Sequence, residues 1–229
     1  MKSKRRANRV HEDSVYYGAA SAGVVVMEGR RLDEAEQYMR SLRAKAVKVS
    51  KALTDAGVPH AVIGGMAVLA HALRAGQGFE RMTRDLDILI KRTDLERVAQ
   101  ALQPLDFRYR QIMGIPAFVP PQKPDQKKSR FQEGVHIVWA GERVRPADPV
   151  PAPTLDSRPV VLAPDGYVCL DVENLLRMKL TSFRLKDQVH VQDLLQIGLI
   201  TKKIEAALPA DLRKRLEHVK EETKREGLG

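Results

Sequence analysis

The 229-residue sequence holds one cysteine (Cys169), one tryptophan (Trp139) and an aromatic share of only 5%. A lone cysteine excludes an intramolecular disulfide and a cysteine metal cluster, and a reducing cytoplasm is the setting it predicts. No apolar run approaches the ~20 residues that a spanning helix needs, so no membrane partner is expected. The sequence has no H-E-x-x-H, G-x-S-x-G or Walker-type lysine motif, which leaves those three chemistries without a basis.

What the chain has in excess is positive charge. Its 39 Lys+Arg stand against 29 Asp+Glu, a formal net charge of +10. Such a surplus suits nucleic acid or nucleotides, although a solvated basic surface accounts for it as well. The opening "MKSKRRANRV" and the following "VYYGAASAGVVVM" loosely imitate a secretion signal. His11, Glu12 and Asp13 separate the two parts, and the apolar part is rich in Gly and Ala. Residues 1–30 therefore read as a basic, flexible leader.

Hydrophobic residues at helical spacing predict a long helix over 33–56, stopped by Gly57 and Pro59. A short strand, Ala61 to Ile63, runs into Gly64 and Gly65, and a helix starts directly from them. The stretch "DLDILI" (85–90) predicts a second strand, and Thr93 with Glu96 predicts a capping box for the next helix. Residues 107–119 read as strand, turn and strand. The polar, Pro-rich "PPQKPDQKKSRFQEG" reads as a mobile basic loop. "VHIVWAG" (135–141) predicts another strand, with Trp139 in the core and on the face opposite His136. Residues 143–166 read as irregular. From Asp171 onward the expectation is two helices with Arg184 to Lys186 between them, then a last charged helix. The predicted fold is α+β (mixed α/β): a short mixed sheet flanked by helices over 31–165, with a C-terminal helical part, 166–229, packed on it. Without regular β-α-β alternation, a doubly wound parallel sheet is not expected.

Side chains alternate across a strand, so Asp85 and Asp87 share a face, while Leu86, Ile88 and Ile90 supply the core from the other. Two neighbouring carboxylates repel each other, and burying them is costly without a cation or donors. Mg²⁺ resolves the conflict, because it takes oxygen ligands and commonly joins one or two carboxylates to substrate phosphates. The plain alternative is a strand cap bonded to Arg81, Arg84 or Lys91. The upstream glycines favour the metal reading. They let backbone N–H groups approach a phosphate, and the helix N-terminus favours its negative charge.

"VIGGMAVLAHAL" followed by "RMTRDLDILI" resembles the signature of the polymerase-β-type nucleotidyltransferase superfamily. Thr83, two residues before the first aspartate, and "LLRMKLTSFRLKDQVHVQDLL" make it most similar to the AbiEii-like (abortive-infection) nucleotidyltransferases. The resemblance covers roughly residues 45–200. It implies that Gly64 and Gly65 hold NTP phosphates and that Asp85 and Asp87 bind Mg²⁺ (or Mn²⁺). It implies in-line attack of an acceptor hydroxyl on the α-phosphate with release of pyrophosphate. A toxin role with an antitoxin-like protein partner is implied by the subfamily alone.

The superfamily usually adds a third carboxylate from a later strand. Here His136 stands where that aspartate is expected, and Glu133 falls in the preceding loop. Three readings stay open: His136 is base or ligand, the chain catalyses slowly with one metal, or it no longer catalyses. The candidate catalytic residues are Asp85, Asp87 and His136, with Asp85 and Asp87 as metal ligands. The candidate nucleotide-binding residues are Gly64, Gly65, Thr83, Lys179 and Asp187. Lys179 either snorkels outward or reaches a phosphate. Asp187 either caps a helix or holds Lys179 or nucleotide. The expected function is a Mg²⁺-dependent transfer of NMP from an NTP to a hydroxyl of tRNA or other RNA, protein or a small molecule. The alternative is an impaired relative that binds nucleotide or RNA.

Overall fold

The computed structural model describes residues 14–15, 27–77, 83–121, 134–225 and 227. Most of the expected leader, the basic loop over 122–133 with Glu133, and residues 78–82 lie outside them. Within the leader, β1 (Ser14–Val15) pairs antiparallel with β2 (Met27–Glu28). Helix α1 (Gly29–Asp55) then begins four residues before the expected start.

The body is a seven-stranded sheet built from β3 (His60–Ile63), β4 (Leu86–Ile90), β5 (Arg108–Ile112), β6 (Ile115–Val119), β7 (Val135–Trp139), β8 (Val160–Leu162) and β9 (Val168–Leu170). Its order is β5-β6-β7-β4-β3-β9-β8. Pairs β7–β4 and β3–β9 are parallel and the others antiparallel, so the architecture is a mixed α+β fold. The three middle strands, "HAVI", "LDILI" and "VHIVW", are rich in the β-branched and aliphatic residues that suit a strand covered on both faces.

Helix α2 (Gly64–Arg74) leaves β3 without an intervening loop and packs back on β3 and β4. Its Ala-rich sequence is a strong helix former. It buries Met66, Ala67, Val68, Leu69 and Ala70, and each of the larger side chains contributes about 1.5–3 kcal/mol by leaving water. Helix α3 (Leu95–Leu102) packs against α1. The Thr93–Glu96 capping box does not form. A 3-10 turn occupies Arg92–Asp94, Asp94 becomes the N-cap, and no side chain caps the helix. Trp139 is half-buried rather than core, with the Arg92 guanidinium 4.3 Å from its ring centroid.

The C-terminal helices are α4 (Val172–Ser182), α5 (Leu185–Gln196), α6 (Lys202–Ala207) and α7 (Ala210–Arg225). Leu176, Leu180, Val191, Leu212, Leu216 and Val219 form a core of their own, while Leu175 and Leu194 join the main one. Residues 165 and 166 lie in the turn between β8 and β9. Within the stretch expected to be irregular, Val160–Leu162 is a strand, because Val161 pairs with Cys169. Among the described residues, no helix is long and apolar enough to cross a membrane.

Candidate active site

The register of the sheet sets the site. Ile63 pairs with Asp87 across β3 and β4, and Asp87 pairs with His136 across β4 and β7. Asp87 is thus flanked by the start of α2 on one side and by His136 on the other. Asp85 lies one residue before β4, which begins at Leu86. The entry to β4 is tied down from α1, where Tyr38 donates to the Arg84 carbonyl at 2.5 Å.

Both glycines face these elements closely. Gly64 has φ +70°, and a Cβ there would overlap the Asp87 carboxylate. A Cβ on Gly65 would come within 2.6 Å of Thr83 Oγ1. Glycine is required at 64 twice over, for the left-handed backbone and for the carboxylate pressed against it. The N-cap of α2 is Ile63, which offers no side-chain acceptor. The first N–H groups of this helix therefore have no side-chain cap and favour a negative group.

These parts open into a cleft of about 560 Å³. Gly64, Asp85, Asp87 and His136 form one side of its lining, and Lys179, Arg184 and Asp187 also line it. Gly65 and Thr83 sit against each other beside it. Of the eight candidate residues, six line one cleft and the other two adjoin it. His136 Nδ1 lies 3.3 Å from Asp87 Oδ1, at the long end of a hydrogen bond. Ile115, Pro116, Val150 and Pro151 add an apolar wall.

From the sequence, Lys179 and Asp187 each admit two readings. Lys179 does not snorkel outward: it is 5% exposed, and its Nζ donates to Asp187 Oδ1 at 2.9 Å. Asp187 is not an N-cap. Arg184 holds that position of α5, and Asp187 is the helix's third residue, fully buried. Its Oδ2 accepts from Ser182 Oγ at 2.5 Å and from Arg184 Nε at 2.7 Å. Burial alone would raise the Asp187 carboxyl, but Arg184, Lys179 and Ser182 outweigh it and hold it well below the usual carboxylate range. Burial lowers the Lys179 ammonium, opposed in part by Asp187 and at longer range by Asp87. Burial likewise pulls on Arg184, but Asp187, then Asp87 and Asp85, hold its guanidinium above its ordinary value.

Arg184 and Arg145 are two cleft residues to which the sequence assigns no role. Arg145 lines the cleft, bonds to buried Asp148 at 2.9 Å and reaches the Ser182 carbonyl at 2.9 Å. Its Asp148 partner is local, but nothing in 143–148 marks its contact with Ser182, which is distant along the chain.

Among the described residues, no three His, Cys, Asp or Glu side chains converge into a metal cage. Two carboxylates on an open cleft fit a hard divalent ion that keeps waters and shares its shell with substrate phosphates. They do not fit a closed structural site.

A family model described as uncharacterised nucleotidyltransferase matches residues 25–178. No curated protein matches the sequence at a significant level. Among solved structures, the chain is similar to a solution structure of the antibiotic-resistance factor ANT(2'')-Ia. That match has 12% identity and a TM-score of 0.47, covering 83% of this chain and 98% of that one. A crystal structure of ANT(2'')-Ia in complex with adenylyl-2''-tobramycin gives 14% identity and a TM-score of 0.47, covering 78% and 98%. With two thirds of its length matched, the chain belongs to this family of nucleotidyltransferases, a class that moves a nucleotidyl group from a nucleoside triphosphate to an acceptor.

Proposed function

We propose that the cleft transfers an NMP unit from an NTP to an acceptor hydroxyl. The observation that carries this reading is the Asp87 carboxylate pressed against Gly64, with Asp85 lining the same cleft. The glycine turn and the start of α2 receive the triphosphate through backbone N–H groups. Asp85 and Asp87 would hold Mg²⁺ or Mn²⁺. When bound, that ion neutralises charge on the phosphates and on the oxygens that enter and leave.

Lys179 and Arg184 face the same space and balance the remaining negative charge, with Asp187 fixing both. Thr83 supports Gly65 at the turn. His136, beside Asp87, is placed to take the proton of the attacking hydroxyl, and an imidazole is suited to that near neutral pH. The apolar wall keeps water from competing with the acceptor.

The net charge of +10 supports RNA, including tRNA, as the acceptor class. The AbiEii-like motif order supports a toxin-like role with an antitoxin-like protein partner. Helix α4 and the start of α5 act as another wall of the cleft.

Incubation with labelled NTPs, Mg²⁺ and total RNA tests the reading. Label should transfer to an acceptor, and the Asp85→Asn/Asp87→Asn double variant should transfer none. Undiminished transfer by that variant contradicts the site.

The second reading is a nucleotide-binding or RNA-binding protein without transfer. It is favoured by His136 occupying the β7 register position opposite Asp87, where a carboxylate is expected. Calorimetry with ATP separates the two, since tight binding that ignores Mg²⁺ favours the second.

A further inference from the structure

The family match stops at residue 178. The corner between α4 and α5 lies beyond it, and it presents Ser182 and Arg184 to the cleft. A helix ends with four carbonyls that lack an intrahelical partner. On α4 these belong to Lys179, Leu180, Thr181 and Ser182, and each is taken. Lys179 O accepts from the Phe183 N–H at 2.9 Å. Leu180 O and Thr181 O accept from Arg215 Nη1 at 2.7 and 2.8 Å. Ser182 O accepts from Arg145 Nη2 at 2.9 Å. Two cations at this end also complement the helix dipole.

Phe183 follows in the left-handed region, at φ 49° and ψ 30°. A residue with a Cβ adopts that conformation at a cost and keeps it only where its surroundings over-determine it. Here they do. The Arg215 guanidinium lies 5.1 Å from the Phe183 ring centroid, and the His218 ring lies 6.1 Å away. Gln188 Nε2 donates to the Phe183 carbonyl at 3.2 Å. Arg215 is the residue common to the backbone bonds and the ring contact. It belongs to α7 and is not among the residues lining the cleft.

We infer that Arg215 is a positioning residue: from outside the cleft it holds the Ser182–Arg184 corner, so that Arg184 is presented to the space shared with Asp85 and Asp87. The inference rests on the proposed reading of that space as the triphosphate site. Arg215 touches no substrate and acts through Arg184. The long α7 helix thereby sets NTP affinity as well as packing on α4 and α5.

Arg215→Met keeps the apolar stem and removes the donors, while Phe183→Gly removes the ring and tolerates positive φ. Amide hydrogen exchange over residues 179–188 is read alongside calorimetry with each of the four NTPs and Mg²⁺. In Arg215→Met, exchange at the corner should rise about tenfold while the sheet is unchanged. NTP affinity should fall about tenfold, and by less than about twofold in an Arg184→Ala background. Phe183→Gly should lose less affinity than Arg215→Met. Unchanged corner exchange overturns the inference. So does an affinity loss of equal size in both backgrounds, or a lowered melting temperature with affinity intact. Wild-type protein that binds none of the four NTPs sinks the reading of the cleft itself, and the positioning role with it.

Discussion

Gly64 and Gly65 owe their identity to what stands against them, Asp87 and Thr83. Gly64→Ala should cost roughly 1–2 kcal/mol from positive φ alone and displace the Asp87 carboxylate as well. Its NTP affinity should fall by about tenfold or more, a size expected when a first-contact group is misplaced by about an ångström; calorimetry reads it. Asp187 is a different case, because it is buried under Lys179 and Arg184. Asp187→Asn leaves buried Lys179 without its counter-charge, and an unfolding titration should show a loss of about 3–5 kcal/mol. A Lys179→Met/Asp187→Leu double variant should recover much of it. The Asp187 carboxyl is held below its ordinary value, so its contribution is present above about pH 4 and fades as pH falls toward the folded-state value. The stability gap between wild type and Asp187→Asn should therefore narrow in acid. The nearness of the acid pair to the glycine turn is implied by the nucleotidyltransferase resemblance, while the β3–β4 pairing that sets Ile63 opposite Asp87 comes from the fold. That Arg145 and Arg184 line one cleft is not legible, since only the folded chain brings residues 145 and 184 to the same space.

Elements with a strong period of their own are readable from the chain: α1, α2, β4 and β7 lie within a few residues of where their patterns put them. Short elements without a period of their own are not. Strand β8 exists through pairing with β9, and α6 has only six residues. The Thr93–Glu96 pattern fails because a 3-10 turn moves the helix start to Leu95. A cap that does form is Asp171 on α4, whose Oδ1 accepts from the Asn174 N–H at 2.8 Å. Asp171→Ala should destabilise the protein by about 1 kcal/mol, seen as a lower melting temperature with the fold intact. Because α4 carries Lys179 at its other end, NTP affinity should change little unless the whole helix shifts.

At the scale of the molecule, the sequence indicates a mixed sheet flanked by helices, but it does not reveal the strand order. That order puts β4 between β3 and β7, and it alone aligns Asp87 with both the α2 start and His136. The overall positive charge says nothing about the cleft, where Asp187 is already neutralised by Lys179 and Arg184. Asp85 and Asp87 line the same cleft, Asp87 with His136 beside it, and nucleotidyl transfer there depends on what that pair holds. The most direct test is electron paramagnetic resonance of Mn²⁺ titrated with the protein and a non-hydrolysable NTP. The expected result is a bound Mn²⁺ signal that needs the nucleotide and vanishes in the Asp85→Asn/Asp87→Asn double variant. Mn²⁺ bound equally well by that variant, or by wild-type protein without any nucleotide, would contradict it.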